Sequence, residues 1–138
     1  MSGEVFLDSG IFIAFLVRSD RFHPDAVALF AHPPRQWTTS VLILSETYGW
    51  FLHRLGEDAA RTFRKLIQSL PNLTVLSPDS HHQEAVWRKL DLLRGSRLTY
   101  VDASSLVWIE ERKIQAVWGT DHHLALEGAF VAPGAFSR

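Results

Sequence analysis

The chain has 138 residues, 14 Lys and Arg against 15 Asp and Glu, a formal net charge of -1, and no cysteine. That length suits a single domain with an ordinary core, and 46% hydrophobic with 21% charged residues fits a folded globular protein rather than a disordered one. The balance of charge excludes a broad basic surface that grips nucleic acid by charge alone, and the missing cysteines exclude disulfides, thiolate metal sites and thiol catalysis together.

Taken in order, Glu4–Leu7 is expected to be a short apolar strand, Asp8-Ser9-Gly10 the turn leaving it, and Ile11–Val17 a helix. The run Val5–Val17 is too short to span a bilayer, and the start lacks the basic region of a signal peptide, so a cytoplasmic protein with no membrane partner is expected. A helix over His23–Ala31 has Pro24 in its first turn, where the missing N–H costs nothing. Gln36–Thr39 is the next strand, and Ser40 is placed to cap a helix Val41–Leu55 that Gly56 stops. Glu57–Leu70 carries Ala60, Phe63, Leu66, Ile67 and Leu70 at helical spacing. After a turn at Pro71-Asn72 come a strand Leu73–Leu76 and a helix Pro78–Leu93.

The stretch Leu98–Leu126 holds a helix opening at Asp102, a strand Gln115–Trp118 and an acidic helix start at Thr120–Asp121; a last short strand covers Ala129–Ala132. Short apolar strands alternating with helices predict an α/β fold, three layers deep, with a mainly parallel central sheet. In such sheets ligands gather outside the carboxyl ends of the strands. Asp8 and Asp121 each follow a strand, so if those strands are neighbours the two carboxylates share an edge.

Four acids stand apart. Asp8, Glu46, Asp102 and Asp121 are each the lone charge in a long apolar stretch, whereas Glu57, Asp58, Glu110 and Glu111 have polar neighbours. A carboxylate in apolar surroundings is costly to bury unless something compensates it, and a shared divalent cation would compensate several. Asp8, Asp102 and Asp121 could each instead cap a helix, and Glu46 could reach water from a mostly buried helix. Four such accidents are harder to accept than one site. The adjacent pairs His81-His82 and His122-His123 are expected to diverge on a helix, too far to share an ion, with a surface position expected for His122 and His123.

In that order the acids, with Phe6-Leu7-Asp8-Ser9, Leu44-Ser45-Glu46, Thr99-Tyr100-Val101-Asp102-Ala103 and Gly119-Thr120-Asp121-His122-His123-Leu124, resemble the PIN-domain nucleases, especially VapC-type toxin ribonucleases. The resemblance runs from Val5 to about Val131. It implies a Mg²⁺- or Mn²⁺-dependent endoribonuclease with Asp8, Glu46, Asp102 and Asp121 as its acids, an RNA substrate, a small antitoxin partner and a homodimer. Two departures are visible: Gly10 stands where many members carry a Ser or Asn, and Leu124 where a Phe is common.

Phosphodiester hydrolysis independently calls for an activated water and for charge stabilisation, which hard cations held by carboxylates supply. Asp8, Asp102 and Asp121 are the expected metal ligands, Glu46 the residue that holds a water or a second ion, and Ser9 and Thr120 accessory hydroxyls. Trp50 shares the helical column of Glu46, and Trp50 and Phe51 are candidates for an interface. Arg94, Arg97 and Arg112 are the basic groups expected nearest the site, where they could meet phosphates, though a solvated role is the first expectation for each. A receiver-like module would need an acidic pair after the first strand and a late lysine; Ser9 follows Asp8, and no lysine follows Lys113. A dehalogenase-type phosphatase would need an acid where Gly10 stands. A non-enzymatic interaction domain, its acids binding a basic partner, is the remaining alternative.

Overall fold

The computed structural model describes residues 3–126 and 128–133. Strands β1 (Glu4–Leu7), β2 (Gln36–Ser40), β3 (Leu73–Leu76), β4 (Ala116–Gly119) and β5 (Phe130–Pro133) form one sheet in the order β3-β2-β1-β4-β5. Every pairing is parallel. Helices α1 (Ser9–Leu16) and α2 (His23–Phe30) link β1 to β2; α3 (Val41–Leu55) and α4 (Glu57–Ser69) link β2 to β3; α5 (Ser80–Leu92) and α6 (Tyr100–Glu111) link β3 to β4.

The strand order explains the layers. From β1 the chain steps one way to β2 and β3, then jumps back across the sheet to β4 and β5. Right-handed crossovers put helices on opposite faces when the direction of travel reverses. Accordingly α1–α4 pack as one connected group, while α5 and α6 pair with each other. The three-layer α/β/α expectation is met. Phe6 and Leu7 of β1, Ile11 and Phe12 of α1, Ile43 of α3 and Val117 of β4 are fully buried in the main core, and Val86, Ala103 and Val107 centre a smaller one between α5 and α6.

Most elements fall within a residue or two of their expected bounds. The exceptions have local causes. Helix α6 starts at Tyr100 rather than at Asp102, because Thr99 is its N-cap: the Thr99 hydroxyl accepts from Asp102 N–H at 3.1 Å, and Asp102 Oδ2 accepts from Thr99 N–H at 3.3 Å. The acidic start at Thr120–Asp121 opens only a single 3₁₀ turn, His122–Ala125. The helix expected from Pro78 begins at Ser80, with Asp79 as its cap at 2.8 Å from His82 N–H.

Candidate active site

Strands β1 and β4 are neighbours in register Leu7↔Trp118, and Asp8 N–H bonds the Trp118 carbonyl at 3.0 Å. Asp8 and Asp121 therefore leave the sheet at the same edge, where the strand order reverses. Such a switch point opens a crevice between two diverging connections. Here the crevice is a cleft of about 580 Å³. Asp8, Glu46, Asp102 and Asp121 all line it, with Ser9 and Thr120 beside them. Strand ends deliver Asp8 and Asp121, the third position of α6 delivers Asp102, and the middle of α3 delivers Glu46.

The capping alternatives resolve differently for each acid. Asp8 occupies the N-cap position of α1, yet its side chain makes no capping hydrogen bond and is buried at 6% exposure. Burial above all, then the charges of Asp102 and Glu46, push its pKa up to about 7; the Ser9 backbone N–H opposes this and Asp121 adds a smaller push. Asp121 does cap, accepting from His123 N–H at 2.9 Å through Oδ1. Asp102 closes the capping box from inside the helix. Glu46 is exposed along much of its length, but partial desolvation still raises its pKa, against the lowering effect of a hydrogen bond with the Ser9 side chain; Asp102 and Asp121 add to the rise.

Two glycines make the cleft floor possible. A Cβ on Gly119 would lie 2.8 Å from Leu124 Cδ1 and 3.1 Å from Asp8 Cβ, so only glycine lets β4 pass this close to Asp8. A Cβ on Gly10 would collide with the Thr120 side chain. Thr120 thus fills the space that a residue at position 10 would claim, which accounts physically for that departure from the family pattern. Leu124 is fully buried, so its replacement of the common Phe is a packing change.

The groups around the acids differ from those expected. Arg112 is held by Glu4, its Nη2 at 2.8 Å and Nε at 2.9 Å from Oε2, at the start of β1 and away from the Asp8 edge. Arg94 and Arg97 do not line the cleft; His53 and Arg54 do, with Trp50. The Arg54 guanidinium stands 5.3 Å from the centre of the Trp50 ring. The signal lay in the spacing: Gly49, Trp50 and His53 follow Glu46 by three, four and seven residues along one helical face. Phe51, by contrast, is 2% exposed and stacks on Phe63 at 5.6 Å, so it is core and unavailable to an interface.

The histidine expectation also needs correcting. His82 is buried, bonded through Nε2 to Ser104 Oγ at 2.7 Å and stacked on Trp108 at 3.8 Å. His122 and His123 do not diverge: their ring centres lie 4.2 Å apart, and together with Asp121 they offer ligand atoms all within 4.8 Å of one another.

The site suits a divalent cation. Its donors are carboxylate oxygens, the set hard cations prefer. Asp8 is buried among like charges without a capping partner, a state that a nearby positive charge relieves. Buried His123 Nδ1 has no hydrogen-bond partner either.

Comparison with known proteins agrees with this geometry. The chain's fold matches the crystal structure of VapC20 from Mycobacterium tuberculosis, described as a sarcin-ricin loop cleaving toxin, with a TM-score of 0.83 at 25% identity over 91% of this chain and 96% of that one. No curated protein matches the chain in sequence. The PIN domain family matches residues 5–126, which include all four acids, and the chain belongs to that family.

Proposed function

We propose that the chain, residues 1–138 acting as a single nuclease domain, is a Mg²⁺- or Mn²⁺-dependent endoribonuclease and the toxin of a toxin–antitoxin pair. The observation that carries this reading is the convergence of Asp8, Glu46, Asp102 and Asp121 on one cleft at the switch point of a PIN-domain sheet. The likeness to a VapC toxin supports RNA as the substrate, and sarcin-ricin loop RNA is the first to test.

Asp8, Asp102 and Asp121 hold the ion. When bound, a divalent cation supplies charge stabilisation to the phosphoryl oxygens and raises the acidity of water. Glu46, its pKa raised by its surroundings, takes the proton of the attacking water; a base tuned toward neutrality does this best. The Ser9 hydroxyl orients Glu46, and Thr120 packs against the turn that carries Asp8. Arg54 and His53 meet the RNA backbone at the cleft rim, and Trp50 offers a face to a base.

The same cleft suits an inhibitor that inserts Arg or Lys among the acids, and we assign that role to a small antitoxin. A homodimer in a cytoplasmic setting completes the proposal; no helix among the described residues is long and apolar enough to cross a membrane. Light scattering at micromolar concentration showing monomer alone would remove the dimer.

The deciding experiment is RNA cleavage by purified protein in Mg²⁺ or Mn²⁺ against the same reaction in EDTA, with Asp8→Asn as control. Loss of a ligand is expected to slow cleavage by at least about 100-fold. Cleavage in EDTA, or by Asp8→Asn at the parental rate, would refute the assignment.

A further inference from the structure

His123 is held on both sides. Its Nε2 lies 2.8 Å from the Ser96 carbonyl oxygen, which can only accept. Nε2 therefore carries a proton, which leaves Nδ1 as the ring atom that can face a cation. That Nδ1 is 3.0 Å from Asp121 Oδ1 and 3.8 Å from Asp102 Oδ2, yet it is buried and makes no hydrogen bond to either. A proton on Nδ1 or a cation between the groups would each reconcile this contact, and the ligand atoms of Asp121, His122 and His123, all within 4.8 Å of one another, have the spacing of a metal site. The backbone reinforces the arrangement, since the His123 N–H bonds Asp121 Oδ1 at 2.9 Å and fixes the carboxylate against the ring. His122, 70% exposed, brings its own Nδ1 to 3.8 Å from the same oxygen and leaves that side open to solvent.

We infer that His123 Nδ1 is a metal ligand, joining Asp121 and the exposed His122 in a mixed nitrogen–oxygen site beside the acidic cleft. The inference rests on the nuclease reading of that cleft and deepens it by naming which ions the site selects. Imidazole nitrogen suits Zn²⁺, whereas Mg²⁺ and Mn²⁺ suit carboxylate and water oxygen, and Mg²⁺ gives up water reluctantly. The Ser96 carbonyl acts as the outer partner that fixes tautomer and ring orientation, the usual support of a ligating histidine. Asp121 caps the short 3₁₀ turn His122–Ala125, and the two histidine rings fold back on each other at its start, so that the ligand atoms of all three residues lie within 4.8 Å of one another.

The test uses metal alone, without RNA. Calorimetric titration of the metal-free full chain with Zn²⁺, Mn²⁺ and Mg²⁺ is made on the parent, His123→Gln and His122→Ala. Gln can keep the bond to Ser96 through its own amide N–H while removing Nδ1. His123→Gln is expected to weaken Zn²⁺ at least about tenfold more than it weakens Mg²⁺, with Mn²⁺ closer to Mg²⁺. His122→Ala has a smaller effect in the same direction. Nitrogen-15 spectra of the parent's histidine side chains, independent of any variant's folding, are expected to show a Zn²⁺-induced shift at His123 Nδ1 with Nε2 still protonated. A protonated Nδ1 in Zn²⁺-loaded protein, or equal loss of all three ions in His123→Gln, overturns the inference. Mg²⁺-dependent RNA cleavage that persists alongside either result leaves the nuclease reading standing. Zn²⁺ bound at Nδ1 in a protein that cleaves no RNA under any ion would do the reverse.

Discussion

The side chain of Thr120, at the end of β4, occupies the space that any side chain on Gly10 would need, and its backbone N would lie 3.1 Å from a Cβ placed there. Two turns leaving neighbouring strands are thereby locked together beneath Asp8. Gly10→Ala is expected to destabilise the fold by about 1–3 kcal/mol through overpacking. In a Thr120→Ala background the same change should cost markedly less, because the collision partner is gone. A double-mutant cycle by urea unfolding reads the coupling; additive effects would mean that the two residues do not share the space.

Asp8 makes the metal-free protein sensitive to pH. Its pKa rises from an ordinary 3.8 to about 7 in the fold. Between those values the folded state holds a proton that the unfolded state releases, so stability falls as pH climbs from about 4 to about 7. Each unit of pKa difference is worth about 1.4 kcal/mol. Asp8→Asn should remove most of this decline. Burial lowers the pKa of His82, which works in the opposite sense, costing stability as pH drops below 6.5. Melting temperatures in EDTA across pH 4–8 check both, and a parent curve that falls no more steeply than that of Asp8→Asn between pH 5 and 7 would contradict the Asp8 assignment.

Asp102 allows cap and ligand to be separated. Asn at this position still accepts the Thr99 N–H, and the Thr99 hydroxyl still caps, so the capping box barely weakens. Removing one charge from the cluster should raise the melting temperature of the metal-free protein. Metal at a hundred times its dissociation constant should stabilise the parent by about 2.7 kcal/mol, and Asp102→Asn by clearly less. Equal shifts on adding Mg²⁺ would leave Asp102 as a cap only.

Gly119→Ala tests the cleft floor. The added methyl meets Leu124 Cδ1 at 2.8 Å and Asp8 Cβ at 3.1 Å. The expected cost is about 1–3 kcal/mol in stability, together with a loss of cleavage that persists at temperatures where the variant is fully folded, since displacement of about 1 Å at a reacting centre can cost ~100-fold. Full activity in the folded variant would show that Asp8 has room to spare.

The sequence by itself determined the elements and the list of acids. Apolar periodicity located the strands and helices, because burial of one face leaves a local pattern of period two or 3.6. The isolation of Asp8, Glu46, Asp102 and Asp121 in apolar runs was legible because a lone buried charge is expensive wherever it falls in the fold. Only the tertiary structure decided what those acids meet. The β1–β4 pairing that brings Asp8 and Asp121 to one edge joins residues more than a hundred positions apart, and no local pattern encodes that register. Arg112 read as a solvated residue or a phosphate contact, but a partner at the far end of the sheet, Glu4, claims it. His82 carried no local sign of its surroundings, and Ser104 and Trp108, both on α6, take its Nε2 and its ring face in a buried place. His122 and His123 read as diverging because a regular helix was assumed. Their rings nevertheless meet, with centres 4.2 Å apart beside Asp121, because side-chain placement and not backbone periodicity alone decides which groups touch.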